Sequence, residues 1–128
     1  MASNLNQSFL SMPVRPDNFS PALSGKITTS GTSSSITFTP LTGTNLTTFK
    51  ITNKGTKGAY IGWGVGSATA VASSGTPTAN CDYVGAGAIL TQNFQSANGV
   101  VDTIAAIQGA DTQDNGATIL EISYGFGQ

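Results

Sequence analysis

The chain of 128 residues carries five basic and six acidic side chains, no histidine and one cysteine. Charged residues make up 9%, whereas Ser and Thr number 32 and Gly another 16. These totals leave no Ser-His-Asp or Cys-His relay, no intrachain disulfide and no arginine cluster for a phosphate backbone; they suit an all-β domain with hydroxyl-rich loops.

One domain is the natural expectation at this length. Apolar residues at 38% and a net charge of −1 argue against disorder, and so small a charge leaves self-association unopposed. The charges are unevenly placed. Residues 1–57 hold Arg15, Lys26, Lys50, Lys54 and Lys57 against Asp17, whereas residues 58–128 hold Asp82, Asp102, Asp111, Asp114 and Glu121 with no cation. Either the two halves steer one surface onto another, or strand interleaving cancels the asymmetry.

Residues 1–25 read as an extended arm. Phe9, Leu10, Met12, Val14 and Phe19 follow neither a helical nor a strand period, and Pro13, Pro16 and Pro21 break regular elements. So many bulky apolar groups mark a segment that docks, on a partner or along its own domain. The first twenty residues have no basic n-region and no long apolar run, so no signal peptide is expected; nor is there an apolar stretch of spanning length.

From Lys26 onward short β-prone runs alternate with turn signals, giving about eight strands and a single β-sandwich or jelly-roll-like domain over residues 26–128. Lys26–Thr29 and Ser35–Thr39 flank a polar turn at Ser30–Ser34, with Ile36 and Phe38 on one face. In Thr47–Thr52, Phe49 and Ile51 point inward and Lys50 outward. Asn53-Lys54-Gly55 supplies a turn tolerant of positive φ. Ala59–Trp63 is the next strand, with Tyr60 and Gly62 on one face and Ile61 and Trp63 on the other. Residues 64–79 form a Gly/Ala/Ser/Thr loop with a weak strand at Thr69–Ala72. Asp82–Val84 and Ala88–Thr91 are separated by Gly85-Ala86-Gly87. Val100–Gln108 fits both a helical stripe and a strand, and its β-branched density favours the strand. Asn115-Gly116 signals a hairpin into the last strand, where Leu120, Ile122 and Tyr124 alternate with Ile119, Glu121 and Ser123.

Few constellations carry chemistry. Asp82, Asp102 and Glu121 sit in strand-like segments, where solvent-facing carboxylates are the ordinary case. Asp111-Thr112-Gln113-Asp114-Asn115-Gly116 is oxygen-rich but lacks the EF-hand order, and a hairpin connection accounts for it. Gly62-Trp63-Gly64-Val65-Gly66-Ser67 has no following Lys-Ser/Thr and no helical pattern, so it is neither a Walker A loop nor a dinucleotide-binding turn. Trp63 with Tyr60 or Tyr83 is either an aromatic platform for a sugar ring or part of the core. No catalytic residue, cofactor or metal site is expected, and the chain is read as a non-enzyme.

The chain resembles the small structural proteins of tailed-bacteriophage virions, of the capsid cement or decoration type. The resemblance rests on the arm Met12-Pro13-Val14-Arg15-Pro16, on Phe49-Lys50-Ile51-Thr52-Asn53-Lys54-Gly55 and Ala59-Tyr60-Ile61-Gly62-Trp63-Gly64, on Val84-Gly85-Ala86-Gly87-Ala88, and on the closing Leu120-Glu121-Ile122-Ser123-Tyr124-Gly125. It implies a β-rich dimer or trimer, made in the host cytoplasm and located on the capsid surface, that bridges major capsid subunits and binds neither nucleic acid nor membrane. Phe9, Leu10, Met12, Val14, Arg15 and Phe19 would then be the interaction residues of the arm. The competing expectation is a tail or fibre head domain that binds a host surface glycan through loops such as Gly64–Ala79.

Overall fold

The computed structural model describes residues 20–39, 47–72, 81–94 and 99–126. Its regular elements are the strands β1 (Ser20–Thr28), β2 (Ser34–Thr37), β3 (Thr47–Asn53), β4 (Ala59–Gly64), β5 (Cys81–Val84), β6 (Ile89–Phe94), β7 (Thr103–Gln108) and β8 (Ile119–Phe126). β1 pairs with β8, β2 with β7, β3 with β6 and β4 with β5, all antiparallel, as if one long hairpin had been folded up. Lateral pairing of β3 with β8 and of β4 with β7 joins these ribbons into a first sheet, β1-β8-β3-β6, and a second, β2-β7-β4-β5. This is the strand order of a jelly roll, and the all-β sandwich expected from the sequence is the fold found.

Period-2 alternation builds the core. Phe49 and Ile51 of β3 and Leu120, Ile122 and Tyr124 of β8 are buried, while Lys50 and Ile119 between or beside them are exposed. From the second sheet Ala59, Ile61, Val84, Ile104 and Ala106 close onto them, with Trp63 and Ile36 packed at the margin. Phe38, just beyond β2, lies against Phe49 and Tyr124, with ring centroids 5.9 and 5.1 Å away, and Phe49 and Tyr124 are 4.8 Å apart. Each such ring removes enough apolar area from water to contribute about 2–3 kcal/mol.

Pairing of each early strand with a late one also settles the charge question. In the first sheet the first-half strands β1 and β3 alternate with the second-half strands β8 and β6, and Lys26 stands opposite Glu121. The sequence asymmetry is therefore offset along the first sheet, whereas the strands of the second carry one charge, Asp82, and no cation.

Several local expectations are revised. β1 begins at Ser20, so residues 20–25, expected in the arm, are strand; Pro21 is tolerated because β1 is an edge strand with a register irregularity between Pro21 and Leu23. Asn115-Gly116 does not close a hairpin, since β7 and β8 belong to different sheets. Lys26–Thr29 and Ser35–Thr37 likewise fall in different sheets, and only β4 and β5 are consecutive partners. Thr69–Ala72 is irregular rather than strand, and the ambiguous Val100–Gln108 resolves into a strand over Thr103–Gln108.

Candidate functional site

The arm residues Phe9, Leu10, Met12, Val14, Arg15 and Phe19 lie outside the described residues. The first described strand begins at Ser20, on the edge of the first sheet opposite Phe126.

The outer face of the first sheet is built by register. One row runs Ile89, Thr52, Glu121, Lys26 across all four strands, and the next runs Thr91, Lys50, Ser123, Ser24. It is a broad hydroxyl-rich face whose only carboxylate in these rows is set against a lysine. Exposed Ile89 is its most prominent apolar group, 61% accessible.

The second sheet has a different outer face. Thr103 and Ala105 alternate with the core residues Ile104 and Ala106 and so point away from the core, yet both are fully buried. Residues 65–72 form a strap held by two hydrogen bonds. This segment leaves β4 and reaches Ser33, the residue before β2, and β7 lies between those two strands. The Gly66 N–H donates to Asp102 Oδ1 (2.8 Å) and the Ala70 N–H donates to Ser33 Oγ (2.9 Å). A Cβ at Gly64 would overlap the Ser67 carbonyl, so glycine here permits the strap to fold back. Asp102, expected to face solvent, is instead buried and also accepts a hydrogen bond from Thr103 Oγ1 (2.9 Å).

The same sheet carries an aromatic and acidic corner at β4 and β5. Tyr60 of β4 and Tyr83 of β5 stand opposite each other, with ring centroids 5.1 Å apart and planes inclined at 56°. The Tyr83 hydroxyl donates to the Asp114 carboxylate (3.1 Å), which also accepts the Gly58 N–H (2.9 Å). The Asp114 N–H in turn donates to Asp111 Oδ1, 3.1 Å away. Partial desolvation and then the Asp114 carboxylate hold the Tyr83 phenol above its ordinary value. Trp63 does not join this group: it packs against the core from the opposite face of β4, so the tyrosine pair forms without the tryptophan.

A buried polar junction ties the ends of both sheets. Asn53 Nδ2 donates to the carbonyls of Lys57 (2.8 Å) and Val84 (3.0 Å), and Asn53 Oδ1 accepts from the Gly55 N–H (3.0 Å) and Thr118 Oγ1 (2.7 Å). The full donor and acceptor capacity of one amide is thereby used. Gly55 is not among the positive-φ glycines; its small size is needed because a Cβ there would overlap the Thr118 side chain.

Among the described residues, no group of three or more Cys, Asp or Glu side chains is placed to hold a metal ion. What the sequence did not reveal are Asn53, Asp102 and Asp114 as buried junctions. The one local signal was the Asp-x-x-Asp turn at Asp111 and Asp114. Comparison with protein-family models, curated proteins and solved structures returns no match.

Proposed function

We propose that the protein is a structural virion component that binds the exterior of a capsid between major capsid subunits and stabilises the head. The observation that carries this reading is the outer face of the first sheet. Four strands spaced about 4.8 Å apart and roughly eight residues long present on the order of 500 Å². A stable protein interface takes about 800 Å² per partner, so this face supplies more than half and the arm, through Phe9, Leu10, Met12, Val14, Arg15 and Phe19, supplies the remainder. Its hydroxyl groups exchange water for protein partners at little cost, and few ions must be desolvated. Jelly rolls recur in capsid proteins, an argument from fold alone. Repetition over a shell lets weak single contacts suffice.

The glycan-binding alternative is favoured by one observation, the Tyr60–Tyr83 corner, where Tyr83 is 45% accessible beside Asp111 and Asp114. Titration of purified capsids with the protein separates the two. Saturation at a fixed number of copies per capsomer, unchanged in Tyr83→Ala, supports capsid docking. Absence of capsid binding together with glycan retention that Tyr83→Ala abolishes supports the alternative.

A further inference from the structure

The two sheets have four edge strands, β1, β6, β2 and β5, and they are not equally defended. β1 carries Pro21, a register irregularity and Lys26. β2 and β5 are four residues each, and β5 holds Asp82. β6 reads Ile-Leu-Thr-Gln-Asn-Phe, six residues with no proline, no charge and an unbroken register on β3. Proteins ordinarily blunt an edge with one of those devices, because unpaired N–H and C=O groups template another strand.

We propose that β6 is the interface of a two-fold dimer, pairing antiparallel with β6 of a second copy so that the two first sheets become one continuous sheet. Hydrogen-bond parity fixes which main-chain groups of β6 have no strand partner among the described residues. Asn53 N–H bonds the Ala88 carbonyl and Lys54 N–H bonds the Ile119 carbonyl, so odd-numbered residues of β3 face β6 and even-numbered ones face β8. By alternation Leu90 and Gln92 spend their main-chain groups on β3, whereas Ile89, Thr91 and Asn93 direct theirs to the open edge. Centring the two-fold axis on Thr91 pairs Thr91 with its copy and Ile89 with Asn93, which satisfies all three residues at once. An isologous contact of this kind needs only that the edge complement itself.

Charge favours β6 over β1 and β5, and length favours it over the four-residue β2. Self-pairing of β5 brings copies of Asp82 onto one short ladder, and self-pairing of β1 does the same with Lys26. For β6 the closest cation across the register is Lys50 on β3, opposite Thr91. Two β6 strands would separate Lys50 from its copy by three strand spacings, roughly 14 Å, beyond the screening length of about 8 Å at physiological salt. The proposal stands apart from the capsid reading, because it is tested on the isolated protein. If both hold, the dimer doubles the width of the docking face.

Sedimentation velocity of the full chain at tens of micromolar is expected to give twice the monomer mass of 12.9 kDa. Thr91→Pro removes an open-edge N–H without touching the β3 ladder, and is expected to give a monomer with an unchanged circular dichroism spectrum. In a Cys81→Ser background, Thr91→Cys is expected to form a covalent dimer with a short bismaleimide, and Ser35→Cys on the β2 edge is not. A monomeric or trimeric parent, a dimer that survives in folded Thr91→Pro, or cross-linking from Ser35→Cys alone would overturn the assignment. Should Thr91→Pro fail to fold, the cross-linking pair decides.

Discussion

Replacing Asn53 by Ala removes the junction that joins the end of β3 to the turn after it, to β5 and to the segment before β8. Four hydrogen bonds are lost, to the Lys57 and Val84 carbonyls, the Gly55 N–H and the Thr118 hydroxyl, at a site that is 1% accessible. At about 1 kcal/mol net for each bond, the loss is about 3–4 kcal/mol, a large share of the ~5–15 kcal/mol by which a domain is stable. The unfolding entropy of about 2.1 cal/mol/K per residue gives roughly 0.27 kcal/mol/K for a chain of this length, so Tm falls by about 11–15 °C. Asn53→Asp keeps both accepting contacts but turns an anion toward two carbonyls, and is expected to lose at least as much. Calorimetry and urea unfolding, with the urea slope unchanged, read the effect directly. A fall in Tm of less than about 4 °C in Asn53→Ala would refute the reasoning, because it would mean that water satisfies these groups at no cost.

Three further outcomes are expected. Gly64→Ala pushes the Ser67 carbonyl, and the strap with it, away from the end of β4 and should speed hydrogen exchange at Gly66 and Ala70 while leaving core amides of β3 and β8 protected; equal acceleration everywhere contradicts the strap. Tyr83 is held above the ordinary phenol value, so its contribution is whole below pH ~10, where the unfolded phenol begins to ionise, and is lost as pH rises through the folded value. Stability of the parent should therefore fall more steeply above pH ~10 than that of Tyr83→Phe, and Asp114→Asn should lower the Tyr83 titration seen by ultraviolet absorbance; identical slopes contradict this. Phe49→Ala opens the aromatic cluster with Phe38 and Tyr124 and should cost about 3–5 kcal/mol in urea unfolding, against less than about 1.5 kcal/mol for a conservative Ile51→Leu.

The strands were legible wherever one face meets the core and the other meets water. Phe49 and Ile51 around Lys50, and Leu120, Ile122 and Tyr124 around Glu121 and Ser123, announce both the strand and its inward side. Strand order was not legible, because it depends on pairs such as β1 with β8 that meet only in three dimensions. Asn115-Gly116 shows the limit of local turn chemistry. Two residues suggest a tight hairpin, but the buried Asp114 beside them bonds Gly58, 56 residues earlier in the chain, and the connection crosses between sheets. The abundance of Ser and Thr suggested hydroxyl-rich loops and outward strand faces such as Thr37 and Thr39. Thr29, Thr47, Thr103 and Thr118 are instead buried, with hydroxyls bonded to the Thr118 and Val101 carbonyls, to Asp102 and to Asn53 respectively. In a chain this poor in charge, hydroxyl groups supply the internal polar contacts.

Capsid docking through the first-sheet face and the arm is tested most directly by co-sedimentation of purified capsids with the full chain and with a chain lacking residues 1–19, which leaves β1 whole from Ser20. The account predicts saturable binding of the full chain at a capsomer-defined number of copies. It also predicts at least a tenfold weaker affinity for the shortened chain, whose circular dichroism and Tm should match the parent. Undiminished binding without the arm, or no binding of the full chain, would contradict it.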